Sequence, residues 1–166
     1  MWKSIREFCV VCVVFFVTLT ATAGFAAAEW NEYRSEKYGF IMLVLSNTTI
    51  QEKVAGPWGG LYAIDEGVEV WGMARLGEKA TAEAMEKFGV ELTGVAAGSW
   101  QQVSSGSGNG WEWFRTVKAM QGARSVFGGY GVGPKGSYLM LIRTTAEDFK
   151  ENESDYMDWY GSIRLE

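Results

Sequence analysis

The sequence has 166 residues, of which 48% are hydrophobic, and a formal net charge of −5. This size and apolar content predict a domain that folds around an apolar core, while the acidic balance without basic clusters argues against nucleic acid as a partner. The chain contains no His, and both of its Cys lie within the first 28 residues. Without that segment the chain lacks the usual general base, the thiol nucleophile and the usual ligands of structural zinc.

The first predicted element is an export signal at residues 1–28. Lys3 and Arg6 form a short positive start, an apolar run follows at residues 8–20, and small residues end at Ala28, which is the order typical of a secretory signal. We expect cleavage after Ala28. The alternative is an uncleaved anchor, because residues 8–28 carry no charge and are long enough to span a bilayer.

Removal of the signal leaves a single predicted α+β domain at residues 29–166. Both cysteines are lost with the signal, and so are two basic and one acidic side chains, which brings the net charge to −6. We therefore expect a periplasmic or secreted protein that no longer inserts into the membrane. Its fold must rest on its apolar core, since no disulfide is available.

Apolar patterns and turn residues predict the remaining elements in chain order. The first half gives a strand, a loop rich in glycine, a hairpin that turns at residues 65–67, and a helix capped by Thr81. The second half gives two hairpins and a final helix. In the first half, the predicted ranges are 38–45 for the strand, 56–60 for the loop, 61–64 and 68–76 for the two strands of the hairpin, and 78–89 for the helix. In the second half, one hairpin consists of strands 100–103 and 111–120, the next consists of strands 124–132 and 137–143, and the last helix covers 146–160.

This order predicts an α+β fold, a meandering antiparallel sheet packed with two helices. In the strand at residues 68–76, Val70 and Ala74 share one face, while Trp71 and Met73 share the other. Apolar residues on both faces indicate that the helices do not all lie on one side of the sheet.

The layout is similar to that of a known superfamily. The matching residues are an aromatic-Gly-Phe strand start at residues 38–40, the loop at Pro57 and Trp58, and the ending Gly-Ser-Ile-Arg-Leu at residues 161–165. They resemble the superfamily of the photosystem II subunit PsbP and the Ran-binding Mog-type import factors, which includes small exported bacterial proteins. The resemblance implies a PsbP-like fold and binding to, or assembly of, another protein. It implies no catalytic residue.

Other motifs are interpreted as structural. Residues 131–136 spell a dinucleotide-binding fingerprint, but a strand follows where that motif needs a helix, so we expect a turn. The carboxylate pair Asp65 and Glu66 is interpreted as a turn as well. Asp155 and Asp158 are interpreted as the solvated face of the last helix. We therefore expect no catalytic residue, no metal and no cofactor.

Aromatic residues give the candidate binding site. Trp111 and Trp113 are two residues apart in a predicted strand, so they should share a face with Arg115. Together with Trp71 they would line an aromatic groove, and Trp58 in the predicted loop completes the candidate set. The alternative is that a helix covers these side chains and that they belong to the core.

Three functions follow from these features. The first is a non-enzymatic exported domain that binds a protein or peptide partner in the cell envelope as an assembly or accessory factor. The second is a carrier whose aromatic cleft holds a small apolar ligand. The third is a hydrolase that uses carboxylates, an alternative that the interpretation of the carboxylate pairs disfavours.

Overall fold

A computed structural model describes residues 30–166, so the predicted signal lies outside the described residues. Along this range the chain forms ten strands and three α-helices. In chain order they are β1 (Trp30–Ser35), β2 (Phe40–Leu45), β3 (Thr49–Ala55), β4 (Trp58–Asp65), β5 (Val68–Leu76), α1 (Ala82–Thr93), β6 (Trp100–Gly108), β7 (Trp111–Gln121), β8 (Arg124–Gly133), β9 (Gly136–Thr145), α2 (Ala146–Glu151), α3 (Glu153–Gly161) and β10 (Arg164–Leu165).

The strands form two antiparallel sheets. The larger has the order β3-β4-β5-β9-β8-β7-β6, and the smaller has the order β1-β2-β10. The chain crosses the larger sheet once, through α1, which carries it from β5 to the far edge strand β6. The following hairpins then return it to the centre, where β9 pairs with β5, for example at Glu69 and Arg143.

The larger sheet is covered on both faces, which confirms the expectation drawn from its apolar pattern. Val70 and Ala74 of β5 belong to a core shared with the small sheet, α2 and α3. Trp71 and Met73 belong to a second core, which α1 covers. The faces predicted for this strand are therefore confirmed.

Helix α1 starts and ends on the signals that the sequence carries. The Thr81 hydroxyl accepts a hydrogen bond from the backbone N–H of Ala84 at 3.2 Å, so Thr81 is the N-cap that we predicted. The helix ends at Gly94, whose φ of 67° is the left-handed conformation that glycine adopts most easily. It thus begins and ends about one turn later than predicted.

Other elements also differ from the prediction. Strands β1 and β3 were not predicted, because both are edge strands with mainly exposed, polar residues. The predicted loop at Trp58 is the start of β4. Strand β6 continues to Gly108, so its hairpin turns tightly at Asn109. The last predicted helix is interrupted at Asn152, which divides it into α2 and α3.

Candidate binding cleft

The predicted aromatic groove is divided between the two faces of the larger sheet. Trp111 packs in the core on the α3 side, whereas Trp113 packs on the α1 side. The reason is a β-bulge in β7. Gly108 pairs with Trp111 and Gly106 pairs with Phe114, so the chain advances by three residues in β7 but by only two in β6. This extra residue breaks the alternation of side chains. The prediction that Trp111 and Trp113 share a face is therefore wrong.

The remaining predicted tryptophans are core residues. Trp58 is buried and stacks on Phe88 of α1 with 4.6 Å between ring centroids. Trp71 is also buried, and its ring lies 5.4 Å from that of Tyr62. Both side chains lie beneath the surface in the α1-side core, so neither is an exposed anchor for a partner.

Arg115 lies apart from Trp111. Its side chain is half-buried on the α1 side of the sheet, where Glu83 and Glu86 of α1 lie beside it. Of the five predicted site residues, Trp111 alone borders the open cleft described next. The sequence thus identified one residue of the cleft, but it did not predict the cleft itself.

An open cleft of about 380 Å³ lies where β6 and β7 extend beyond α3. Helix α3 packs on β8 and β2, and this leaves the neighbouring part of the sheet uncovered. The cleft is lined by Val103, Ser104, Ser107, Gly108, Asn109, Trp111, Phe114, Thr116, Phe127, Met157, Tyr160, Gly161 and Ile163.

The cleft is apolar and carries no charged side chain. Two exposed hydrophobic residues line it, Val103 of β6 with 51% exposure and Met157 of α3 with 48%. Val103 reaches the cleft because β6 contains a second bulge, in which Val103 is the unpaired residue between Gln102 and Ser104. The bulge places the Val103 and Ser104 side chains in the same lining. Such a surface selects an uncharged, apolar group.

Tyr160 lines the cleft with its ring. The ring meets Phe114 and Phe127 edge-on, with 6.1 Å between centroids in both cases. Its hydroxyl is buried and has no hydrogen-bond partner among residues 30–166. Burial raises the pKa of this hydroxyl, and the Thr116 hydroxyl, which lies nearby but outside hydrogen-bonding geometry, opposes that shift in part. Tyr160 is therefore neutral at physiological pH.

Sequence reasoning missed Val103, Met157 and Tyr160. A usable signal was present for Val103, because it is an isolated apolar residue in a polar segment, whereas Met157 lies among the aromatic residues of the last helix. Their common location depends on the β6 bulge and on the break before α3, and neither feature leaves a pattern in the sequence.

A polar cluster on the α1 side of the sheet has a structural role. Arg143 pairs with Glu69 and donates to the backbone oxygen of Thr93 at 2.6 Å, so it ties the end of α1 to the sheet. The Tyr62 hydroxyl donates to Glu69 at 2.7 Å. Burial, and then this bond to Glu69, raises the pKa of Tyr62 to about 12. The guanidinium also lies 5.5 Å from the ring of Trp71.

The motifs interpreted as structural lie in turns or on solvated surface. Residues 131–136 form the end of β8, a turn and the start of β9, with Gly133 opposite Gly136. Asp65 ends β4 at the turn into β5. Asp155 and Asp158 are exposed on α3. Within residues 30–166, no cluster of three or more His, Cys, Asp or Glu is arranged to hold a metal ion.

These sheets and helices define a PsbP-like α+β fold. The solution structure of cyanobacterial PsbP (CyanoP) from Synechocystis sp. PCC 6803 is similar to this chain, with a TM-score of 0.56 and 12% identity over 89% of this chain and 99% of that chain. The likeness confirms the PsbP-like fold that the sequence suggested. No protein-family model matches the sequence, and no curated protein matches it significantly.

Among residues 30–166, none of the helices is long and apolar enough to cross a bilayer.

Proposed function

We propose that this protein is a non-enzymatic binding domain of the cell envelope, and that its cleft receives an apolar group of a protein or peptide partner. The observation that carries the proposal is the uncharged cleft, which Val103 of β6 and Met157 of α3 line with exposed side chains. Exposed apolar side chains that border a concave surface are typical of binding sites.

Two further features support the proposal. The lining of the cleft contains no carboxylate, lysine or arginine, and the whole chain has no His, so acid–base chemistry lacks its usual side chains at this site.

The proposed export rests on residues 1–28. Intact mass of the envelope form should correspond to a chain that starts at Glu29, whereas a mass that includes residues 1–28 would support the anchor.

A carrier for a small apolar molecule is the second candidate. The cleft volume of about 380 Å³ falls within the roughly 300–1,000 Å³ typical of small-molecule sites. Native mass spectrometry of gently purified protein would reveal a retained ligand as added mass. That mass should be lost in Met157→Lys, which places a charge at the cleft wall.

Site-specific crosslinking in cells tests the proposal directly. A photoreactive amino acid at Met157 should give a discrete crosslinked protein, while the same group at Val54 should not. Val54 is the matched control, because it is 68% exposed and lies on the opposite edge strand, β3. If neither position crosslinks and no ligand mass is retained, the binding function is wrong.

A further inference from the structure

Strand β6 is an open edge of the larger sheet. It pairs with β7 only, so one row of its backbone N–H and C=O groups has no partner strand among residues 30–166. Nearly all of its nine residues are exposed, and none of them is charged. An exposed, uncharged edge strand is a template for pairing with another chain.

The opposite edge of the same sheet is protected. Strand β3 carries Glu52 and Lys53, and charges on an edge strand discourage pairing with other chains. Glu52 also forms an ion pair with Lys37 at 2.6 Å. The two edges thus differ in charge, because β3 carries charged side chains and β6 carries none.

We infer that β6 accepts an extended, basic and apolar segment of a partner protein as an added strand, and that one large apolar side chain of this segment fills the adjoining cleft. The inference rests on the proposed function and specifies the partner of the same site. Main-chain hydrogen bonds to an exposed edge, with one pocket for a side chain, are an established mode of peptide recognition.

Charge indicates which kind of segment fits. The helix beside the cleft exposes Asp155 and Asp158, which form no ion pair among residues 30–166. Its one paired carboxylate, Glu153, binds Lys118 at 2.9 Å. The net charge is −5 for the full sequence and −6 without residues 1–28, so a second copy is repelled while Lys or Arg residues that flank an apolar anchor are attracted.

Peptide selection tests this inference. Short random peptides displayed on phage are selected against the immobilised protein, and the enriched sequence is then synthesised as the probe. We expect a basic peptide with one large apolar residue among β-forming residues. In an extended peptide, the backbone N–H groups of alternate residues point to opposite edges of the strand, and only one edge pairs with β6. Methylating the amide nitrogens of every second residue on the pairing edge should therefore weaken binding at least about tenfold, while methylating those of the intervening residues should be tolerated.

Variants of the protein locate the site. Val103→Ser and Met157→Ser should each weaken binding by about fivefold or more, and Val54→Ser should leave it unchanged. The side chains of all three residues are exposed to solvent, so each variant should keep the thermal midpoint of the parent.

Several outcomes would overturn strand addition at β6. They are the enrichment of no peptide or of acidic peptides, equal effects of the two methylation patterns, and equal effects of Val103→Ser and Val54→Ser. A dimer in sedimentation that Val103→Ser dissolves would make a second copy the occupant and overturn the inference. A partner crosslinked at Met157 without edge-selective methylation would overturn strand addition while leaving the proposed function intact.

Discussion

The hydroxyl oxygen of Tyr160 occupies the space that a side chain at Gly129 would need. A Cβ built at residue 129 lies 2.2 Å from this oxygen and 2.5 Å from the backbone oxygen of Arg115. Gly129→Ala should therefore displace Tyr160 from its place beside the cleft. Because the backbone contact cannot yield cheaply, we expect a loss of about 1–3 kcal/mol in the free energy of unfolding.

Denaturant melts measure this loss, with Gly98→Ala as the control. A Cβ at Gly98 meets no atom within 4 Å, so its effect should stay within about 0.5 kcal/mol. If Gly129→Ala is equally mild, the contact between the Tyr160 hydroxyl and β8 is unimportant for the fold.

Tyr160 and Tyr156 should respond oppositely to loss of their hydroxyls. The Tyr160 hydroxyl is buried without a partner, so Tyr160→Phe should leave stability unchanged or raise it by about 1 kcal/mol. The Tyr156 hydroxyl donates to Asp148, and Tyr156→Phe should cost about 1–2 kcal/mol because it leaves that carboxylate short of a donor. Urea melts of the two variants compare them, and a loss in Tyr160→Phe would mean that its hydroxyl has a partner.

Trp111 and Trp113 should differ in their contribution to stability. Trp111 is 6% exposed and meets Tyr138 edge-on at 6.0 Å, so Trp111→Ala should cost about 3–5 kcal/mol. Trp113 is half-buried at the margin of the other core, and Trp113→Ala should cost less. Equilibrium unfolding of both, with Phe88→Ala as a buried control, checks the order. Equal losses would contradict their placement in cores of different depth.

Arg143 should matter more than an exposed arginine that forms a similar ion pair. Arg143→Ala leaves Glu69, whose side chain is 14% exposed, without its cation, and we expect a loss of about 1.5–3 kcal/mol. Arg34 also pairs with a carboxylate, Glu166, but both side chains are exposed, so Arg34→Ala should cost at most about 1 kcal/mol. Denaturant melts of the two variants test the difference, and similar losses would show that the Arg143 tie to α1 contributes little.

Stability should be flat near neutral pH and fall in alkali. The pKa of Tyr62 rises from 10.0 to about 12 on folding, so its contribution is fully present below pH 10 and is lost as the pH rises through about 12. Burial raises the pKa of Tyr130, Tyr138, Tyr156 and Tyr160 in the same direction. Free energies of unfolding measured across the pH range check this, and a step between about pH 6 and 8 would instead reveal a carboxylate with a raised pKa.

The parts of the fold that the sequence predicted are those fixed by local chemistry. The turn after Asp65 was predictable because its sequence contains Gly67. Glu66 and Gly67 both adopt positive φ in the structure, a backbone that glycine-containing turns favour. The cap at Thr81 was predictable for a similar reason, since its hydroxyl bonds within one turn.

The cleft was not predictable because its position depends on pairing between strands. The bulges at Val103 and after Trp111 exist only in the register of β6 with β7. Without knowledge of that register, the regular alternation of side chains in a strand assigned Trp111 and Trp113 to one face. The burial of Trp58 was not predictable either, because its ring stacks on Phe88 of α1, thirty residues further along the chain.

The pairing of β9 with β5 has a consequence for how the molecule acquires its structure. Residues such as Glu69 and Arg143, more than seventy positions apart, meet in the middle of the larger sheet. Closing so long a loop has an entropic cost before any contact compensates for it, so contacts of this kind slow folding. The hairpin of β4 and β5 therefore gains its neighbour on the β5 side only when this long loop closes, whereas the hairpins on either side of it need only local contacts.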